Sequence, residues 1–144
     1  MKRREILDLW RTDAKMDDLN LDQTSMEVPN LHSKYLTMLS DARTRKRDSD
    51  SIKKRLVADL TIYYAGNADD ALLRKLDREQ FQERLKPREV AARVSKDPAI
   101  LTSEEAVIEL DECIEVLKEI MESVKWRHQN VKNAISWRQL MLGA

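Results

Sequence analysis

From Thr102 to Leu142 apolar residues recur at alternating spacings of three and four: Val107, Leu110, Ile114, Leu117, Met121, Val124, Val131 and Ile135. His128 and Arg138 fill two places in the same series. Such spacing is a heptad, the mark of a long helix with a continuous apolar seam. A parallel column, Ala106, Cys113, Ile120, Ala134 and Met141, makes the face wider than a two-stranded coiled coil needs. At ~1.5 Å per residue this helix is on the order of 55–60 Å long, more than the other predicted helices can cover. The pattern therefore predicts an oligomerisation helix over 102–142. Its contacts are expected at Val107, Leu110, Ile114, Leu117, Met121, Val124, Val131 and Ile135, in a higher-order bundle rather than a dimer.

A second long helix is predicted over 29–65. Pro29 suits a first helical turn, where its missing N–H is unpaired anyway. Leu31, Tyr35, Met38 and Ala42 then keep heptad spacing, followed by Arg45, Ser49, Ile52 and Leu56, with a shift of register at Leu60 and Tyr63. Gly66 supplies a left-handed cap. Arg3 to Thr12 forms a short helix with Ile6, Leu9 and Trp10 on one face, and 13–28 is a polar connector anchored by Met16, Leu19, Leu21 and Met26. Short helices occupy 69–97, one capped by Asp69 or Asp70 and one opened by Pro87, ending at Asp97-Pro98. Thr102-Ser103-Glu104-Glu105 is a capping box that starts the last helix. The fold class is all-α: two long helices plus short ones, in a single helical domain over 1–144.

Composition agrees. Only two Gly and three Pro punctuate 144 residues, which leaves few turns and long helices. The formal net charge of zero argues against a protein that coats nucleic acid indiscriminately, but the charge is unevenly placed. Arg43, Arg45, Lys46, Arg47, Lys53, Lys54 and Arg55 face only Asp48 and Asp50 between 43 and 55, and no acid follows Ser123. Arg45 falls on the apolar stripe, so either the seam opens there or Arg45 faces a cavity or an anion. The basic run is open to two interpretations, a phosphate-tracking belt repeated around an oligomer or a solvated charged face. Tyr63 and Tyr64 either stack on bases or close the packing of their helix. Trp126 and Trp137, eleven residues apart on one side of the last helix, are expected as packing anchors.

Candidate catalytic chemistry is absent. His32 and His128 lie on different helices, no inward Glu-x-x-His pair is present, and there is no phosphate loop or nucleophile elbow. Neither enzyme activity nor a cofactor or metal is expected. Cys113 is alone, so no disulfide forms within the chain. No apolar run approaches a signal peptide or membrane span, and a soluble intracellular protein without a membrane partner is expected.

Four collinear stretches carry a family resemblance: Leu9-Trp10-x-x-Asp13-Ala14, the run Val28 to Leu36, Tyr63-Tyr64-Ala65-Gly66, and Lys132-Asn133-Ala134-Ile135-x-Trp137-Arg138. In order and spacing they are similar to the UvsY-type recombination mediators of T4-like phages. That resemblance implies a small helical protein that assembles into a hexameric or heptameric ring and binds single-stranded DNA. It also implies that the protein helps load a RecA-class recombinase onto DNA covered by single-strand DNA-binding protein, in the cytoplasm of the infected bacterial host. The family places basic residues directly before the Tyr-Tyr pair, where this chain has Ala58, Asp59 and Leu60. A retained DNA role therefore moves upstream to Arg43, Arg45, Lys46, Arg47, Lys53, Lys54 and Arg55. A purely structural coiled-coil assembly protein, without nucleic-acid affinity, is the alternative.

Overall fold

The computed structural model describes residues 1–17 and 19–143. Among them the secondary structure is five helices and no strand: α1 (Arg3–Asp13), α2 (Leu21–Tyr64), α3 (Asp70–Leu76), α4 (Pro87–Lys96) and α5 (Pro98–Met141). The all-α class and the two long helices are thus observed. Both long helices start earlier than the local signals imply.

Helix α2 runs 44 residues and encloses Pro29 instead of starting on it. Its true start is prepared by Asp17, whose carboxylate accepts from the Leu19 N–H at 3.0 Å and the Asn20 side chain at 2.8 Å. The Thr24 N–H then closes on the Asn20 carbonyl at 3.0 Å. Pro29 leaves the Ser25 carbonyl without its usual helical donor, a cost that burial must offset. The burial is there: Leu21 and Thr24 are buried, and Val28 and Leu31 pack partly against the core. Leu21, Thr24, Val28, Leu31, Tyr35, Met38 and Ala42 form one unbroken heptad.

Helix α5 also spans 44 residues and begins at Pro98, not at the Thr102 capping box. Asp97 caps it by accepting the Ala99 N–H at 2.9 Å, with proline in the first turn where it fits best. Thr102 lies inside the helix, its hydroxyl turned back to the Pro98 carbonyl at 3.0 Å.

The chain divides into two compact units. The first comprises 1–45 and 109–144. Its core is Ile6, Tyr35, Leu39 and Ala42 against Cys113, Ile114, Leu117, Ile120 and Val124. Much of the α5 seam is covered within the protomer. Leu110, Ile114, Leu117, Val124 and Val131 are buried within the protomer, and Met121 and Ile135 are half-buried. The cover comes from Ile6 and Trp10 of α1 and from Tyr35, Leu39 and Ala42 of α2, with Val28 and Leu31 at the margin.

The register of the seam is shifted as well. Up to Leu117 both columns contribute, with Leu110, Cys113 and Ile114 all buried; beyond it Ile120, Val124, Arg127 and Val131 are the buried positions, whereas Met121 is half-buried and His128 and Arg138 are exposed. Arg127 goes inward because it has acceptors there. Its guanidinium donates to the carbonyls of Ala14 and Lys15, both at 2.9 Å, at the end of α1. Those carbonyls have no helical partners, and the helix dipole favours a cation at that end. Beside it, Asp13 accepts from Lys34 at 2.7 Å and from the Tyr35 hydroxyl at 2.8 Å. Burial alone would raise the Asp13 carboxyl, but these two donors hold it below the usual range. Replacing Arg127 by Ala is expected to cost about 1.5–3 kcal/mol. It should also speed amide exchange across 14–20, and Lys, which lacks the fork, should not restore protection.

The second unit comprises 46–108. Leu60, Tyr63, Val90, Val94 and Ile100 form its core, bordered by Leu56, Leu73, Leu76, Phe81 and Leu85. The Leu72 N–H donates to Asp69 at 2.8 Å to cap α3, which ends on Asp77 in the left-handed region at φ 54. Glu89 reaches back to the Lys86 N–H at 3.1 Å and fixes the first turn of α4.

Candidate nucleic-acid interface

The basic run lies wholly within α2, so helical geometry decides which side chains share a face. In the second unit Lys46, Arg47, Lys53 and Lys54 fall within an arc of roughly 120° centred on Asp50. Arg55 lies on the opposite side, beside Ile52, Leu56, Asp59, Lys75 and Leu76. The structure therefore brings four of these five cations together and separates the fifth. Arg47, Lys54 and Arg55 are exposed, while Lys46 and Lys53 are half-buried. Lys53 pairs with Glu104 at 3.3 Å, and with both groups partly exposed that bond is weak and salt-labile. Asp59 is itself taken by Lys75 at 2.8 Å.

In the first unit Arg43 and Arg45 are both exposed. Arg45 lines a cavity of about 440 Å³ whose wall is mainly apolar: Ile6, Met38, Leu110, Cys113 and Leu117. The seam opens at Arg45, and the charge remains in water.

Tyr63 and Tyr64 are not a stacking platform. Tyr63 is 9 % exposed, meets Phe81 at 5.6 Å between ring centres, and donates its hydroxyl to the Glu79 carbonyl at 3.0 Å. Tyr64 sits edge-on to Phe81 at 4.9 Å and donates to Asp97 at 2.7 Å. Asp97 also takes both nitrogens of the Arg78 fork, at 2.6 and 2.8 Å. Arg78 holds the Asp97 carboxyl down to about 2, and burial together with Asp97 pushes the Tyr64 hydroxyl up. This Arg78–Asp97–Tyr64 network ties the irregular segment 77–86 to the start of α5. Residues 67–100 match no motif, so nothing in the spacing points to Arg78; for its partner the signal is Asp97-Pro98, an N-cap followed by a first-turn proline. After the tyrosine pair Gly66, at φ +78, ends α2, with the Gly66 N–H on the Tyr63 carbonyl and the Asn67 N–H on that of Ile62, both at 3.1 Å.

Among the described residues no group of three His, Cys, Asp or Glu side chains could hold a metal, and no helix is long and apolar enough to cross a membrane. What α2 offers is a positively charged helical face with aromatic rings buried behind its end.

No curated protein sequence matches the chain. Crystal structures of the recombination mediator protein UvsY of bacteriophage T4 share its fold. One lattice form superimposes with a TM-score of 0.81 at 18 % identity, covering 99 % of both chains. Another gives 0.82 at 18 % identity, over 97 % of this chain and 99 % of that one. The family model for "Recombination, repair and ssDNA binding protein UvsY" matches residues 9–144. The chain belongs to the UvsY family of recombination, repair and single-stranded-DNA-binding proteins.

Proposed function

We propose that this protein is a recombination mediator. It binds single-stranded DNA and helps load a RecA-class recombinase onto DNA covered by single-strand DNA-binding protein, working as a ring of six or seven copies. The observation that carries this is the family match across 9–144. It is supported by the arc of Lys46, Arg47, Lys53 and Lys54 on α2, with Arg43, Arg45 and Arg55 as further phosphate ligands. Recombinase and single-strand binding protein are partners by competition and bridging, so no catalytic residue is required of this chain. Ring contacts fall on surface outside the buried α5 seam, since a side chain packed in its own protomer cannot also pack in a neighbour. The coiled-coil assembly alternative predicts the same oligomer without nucleic-acid affinity, so the binding titration separates the two.

The test is a titration with oligo-dT at several salt concentrations. For single strands the logarithm of affinity falls with that of salt by about 0.7 per phosphate neutralised. Replacing Lys53, Lys54 and Arg55 by Ala is expected to weaken binding and reduce that slope by roughly 0.7 for each phosphate no longer neutralised. An unchanged slope would move the interface elsewhere, and no binding at low salt would reject the proposal.

A further inference from the structure

Asp50 stands three residues from Arg47 and Lys53 and four from Lys46 and Lys54. On a helix those spacings bring all four cations of the α2 arc within reach of its carboxylate. The cations form two rows, Lys46 with Lys53 and Arg47 with Lys54, each pair one heptad apart and the rows flanking Asp50. Asp50 is half-buried and lines, with Lys53, Lys54 and Val57, a groove of about 360 Å³. The two rows differ in exposure. Arg47 and Lys54 are exposed, whereas Lys46 and Lys53 are half-buried. Glu104, near the start of α5 and in the same compact unit, pairs with Lys53 at 3.3 Å.

A phosphate and a carboxylate both accept from a lysine ammonium. A strand that reaches Lys53 therefore displaces Glu104 or meets it as a like charge. Displacement is easy here. The bond is long for a charged pair, and water already reaches both groups, whose side chains are 33 % and 42 % exposed. The released carboxylate is readily solvated, whereas a buried pair such as Arg78–Asp97 would not part so readily. Asp50 has no such freedom. Its short side chain stays at the centre of the arc, where it repels phosphate and leaves the flanking rows as the tracks open to a strand.

We propose that Glu104 is a built-in competitor for DNA phosphate, exchanged for the strand at Lys53, and that Asp50 is a fixed counter-charge limiting the affinity of the same face. The exposed row then makes the first contact, and Lys53 joins it when Glu104 lets go. This rests on the single-strand binding proposed above and adds the device that keeps such binding reversible, as passing a strand to a second protein requires.

The experiment titrates the full chain with a labelled oligo-dT, read by anisotropy at several salt concentrations, with the mass of each variant measured by light scattering. Glu104→Gln keeps the size of the side chain and removes its charge. It should raise affinity about two- to fivefold at low salt, the worth of an exposed ion pair. The gain should shrink as salt rises, because salt already loosens the pair in the wild type. In a Lys53→Ala background the gain should vanish, since the cycle isolates the pairwise effect. Asp50→Asn should raise affinity in both backgrounds, because Lys54 remains beside it. Glu105→Gln, an equal change of net charge one residue along α5, should match the wild type. A Glu104→Gln affinity equal to wild type, or a gain that survives Lys53→Ala, overturns the exchange. A gain accompanied by a change of mass assigns Glu104 to assembly and likewise overturns it. An unchanged Asp50→Asn overturns the counter-charge. Each of these leaves the α2 belt standing, whereas absence of any oligo-dT binding by the wild type would defeat the mediator proposal itself.

Discussion

Replacing Arg78 by Ala is expected to destabilise the protein by about 3 kcal/mol, the lower end of the range for removing one partner of a buried ion pair. The Asp97 side chain is fully buried and the Arg78 side chain 26 % exposed. Without the guanidinium, a carboxylate sealed from water keeps only the Tyr64 hydroxyl and the Ala99 N–H. Against a typical total of about 5–15 kcal/mol the loss is large, and the thermal midpoint should fall by on the order of 10 °C. Circular dichroism melts measure it. Asp97→Asn keeps the cap and removes the buried charge, so it should cost less than Arg78→Ala; an equal or larger loss would reject a buried unpaired charge as the source of the Arg78→Ala cost. The pH dependence has a definite sign. Because Arg78 lowers the Asp97 carboxyl from 3.8 to about 2, the stabilisation is complete above the unfolded value and is lost as pH falls from about 4 towards 2. The gap between wild type and Arg78→Ala should therefore narrow over that window, and a gap independent of pH would refute the coupling.

Leu117→Ala is the second large effect, at about 2–5 kcal/mol. Leu117 is 1 % exposed at the centre of the first unit's core, between residues of α1, α2 and α5. Denaturant unfolding should show a lower midpoint, and the difference from wild type should not depend on protein concentration. A seam between subunits would behave differently, losing mass on dilution while the separate chains stayed folded. Met121, half-buried at the margin of the same core, should cost less when truncated.

These two sites mark where the sequence was legible and where it was not. The heptad on α5 was plain, and so was its need for an apolar partner. The partner lay in helices already predicted, Ile6 of α1 and Tyr35, Leu39 and Ala42 of α2, because spacing does not record which chain covers a seam; what was hidden was the start of α2, since Pro29 has the form of a helix start although Leu21, Thr24 and Val28 continue its heptad upstream. A proline interrupts one hydrogen bond; the packed turns before it outweigh that loss. In the same way Thr102-Ser103-Glu104-Glu105 satisfies a local capping rule, while Asp97, fixed from three directions by Arg78, Tyr64 and Ala99, wins the cap. The basic run was visible in composition. Its division into a four-residue arc and a separate Arg55 needed only the continuity of α2.

Tertiary structure alone decided what no spacing could express. On α5 the column of Ile114, Met121 and His128 and the column of Cys113, Ile120 and Arg127 are equally plausible seams. By ordinary expectation the histidine, not the arginine, belongs inside. The choice went to Arg127 because two carbonyls at the end of α1, more than a hundred residues away in the chain, accept from its fork. That choice rotates the helix enough to put Trp126 and Trp137 on the outer face of the protomer and to bury, within one protomer, a seam that by spacing alone suits neighbouring subunits. Helix type and charge are set by residues a few positions apart, which sequence spacing records directly. Which face turns inward depends on acceptors that only the folded chain brings near.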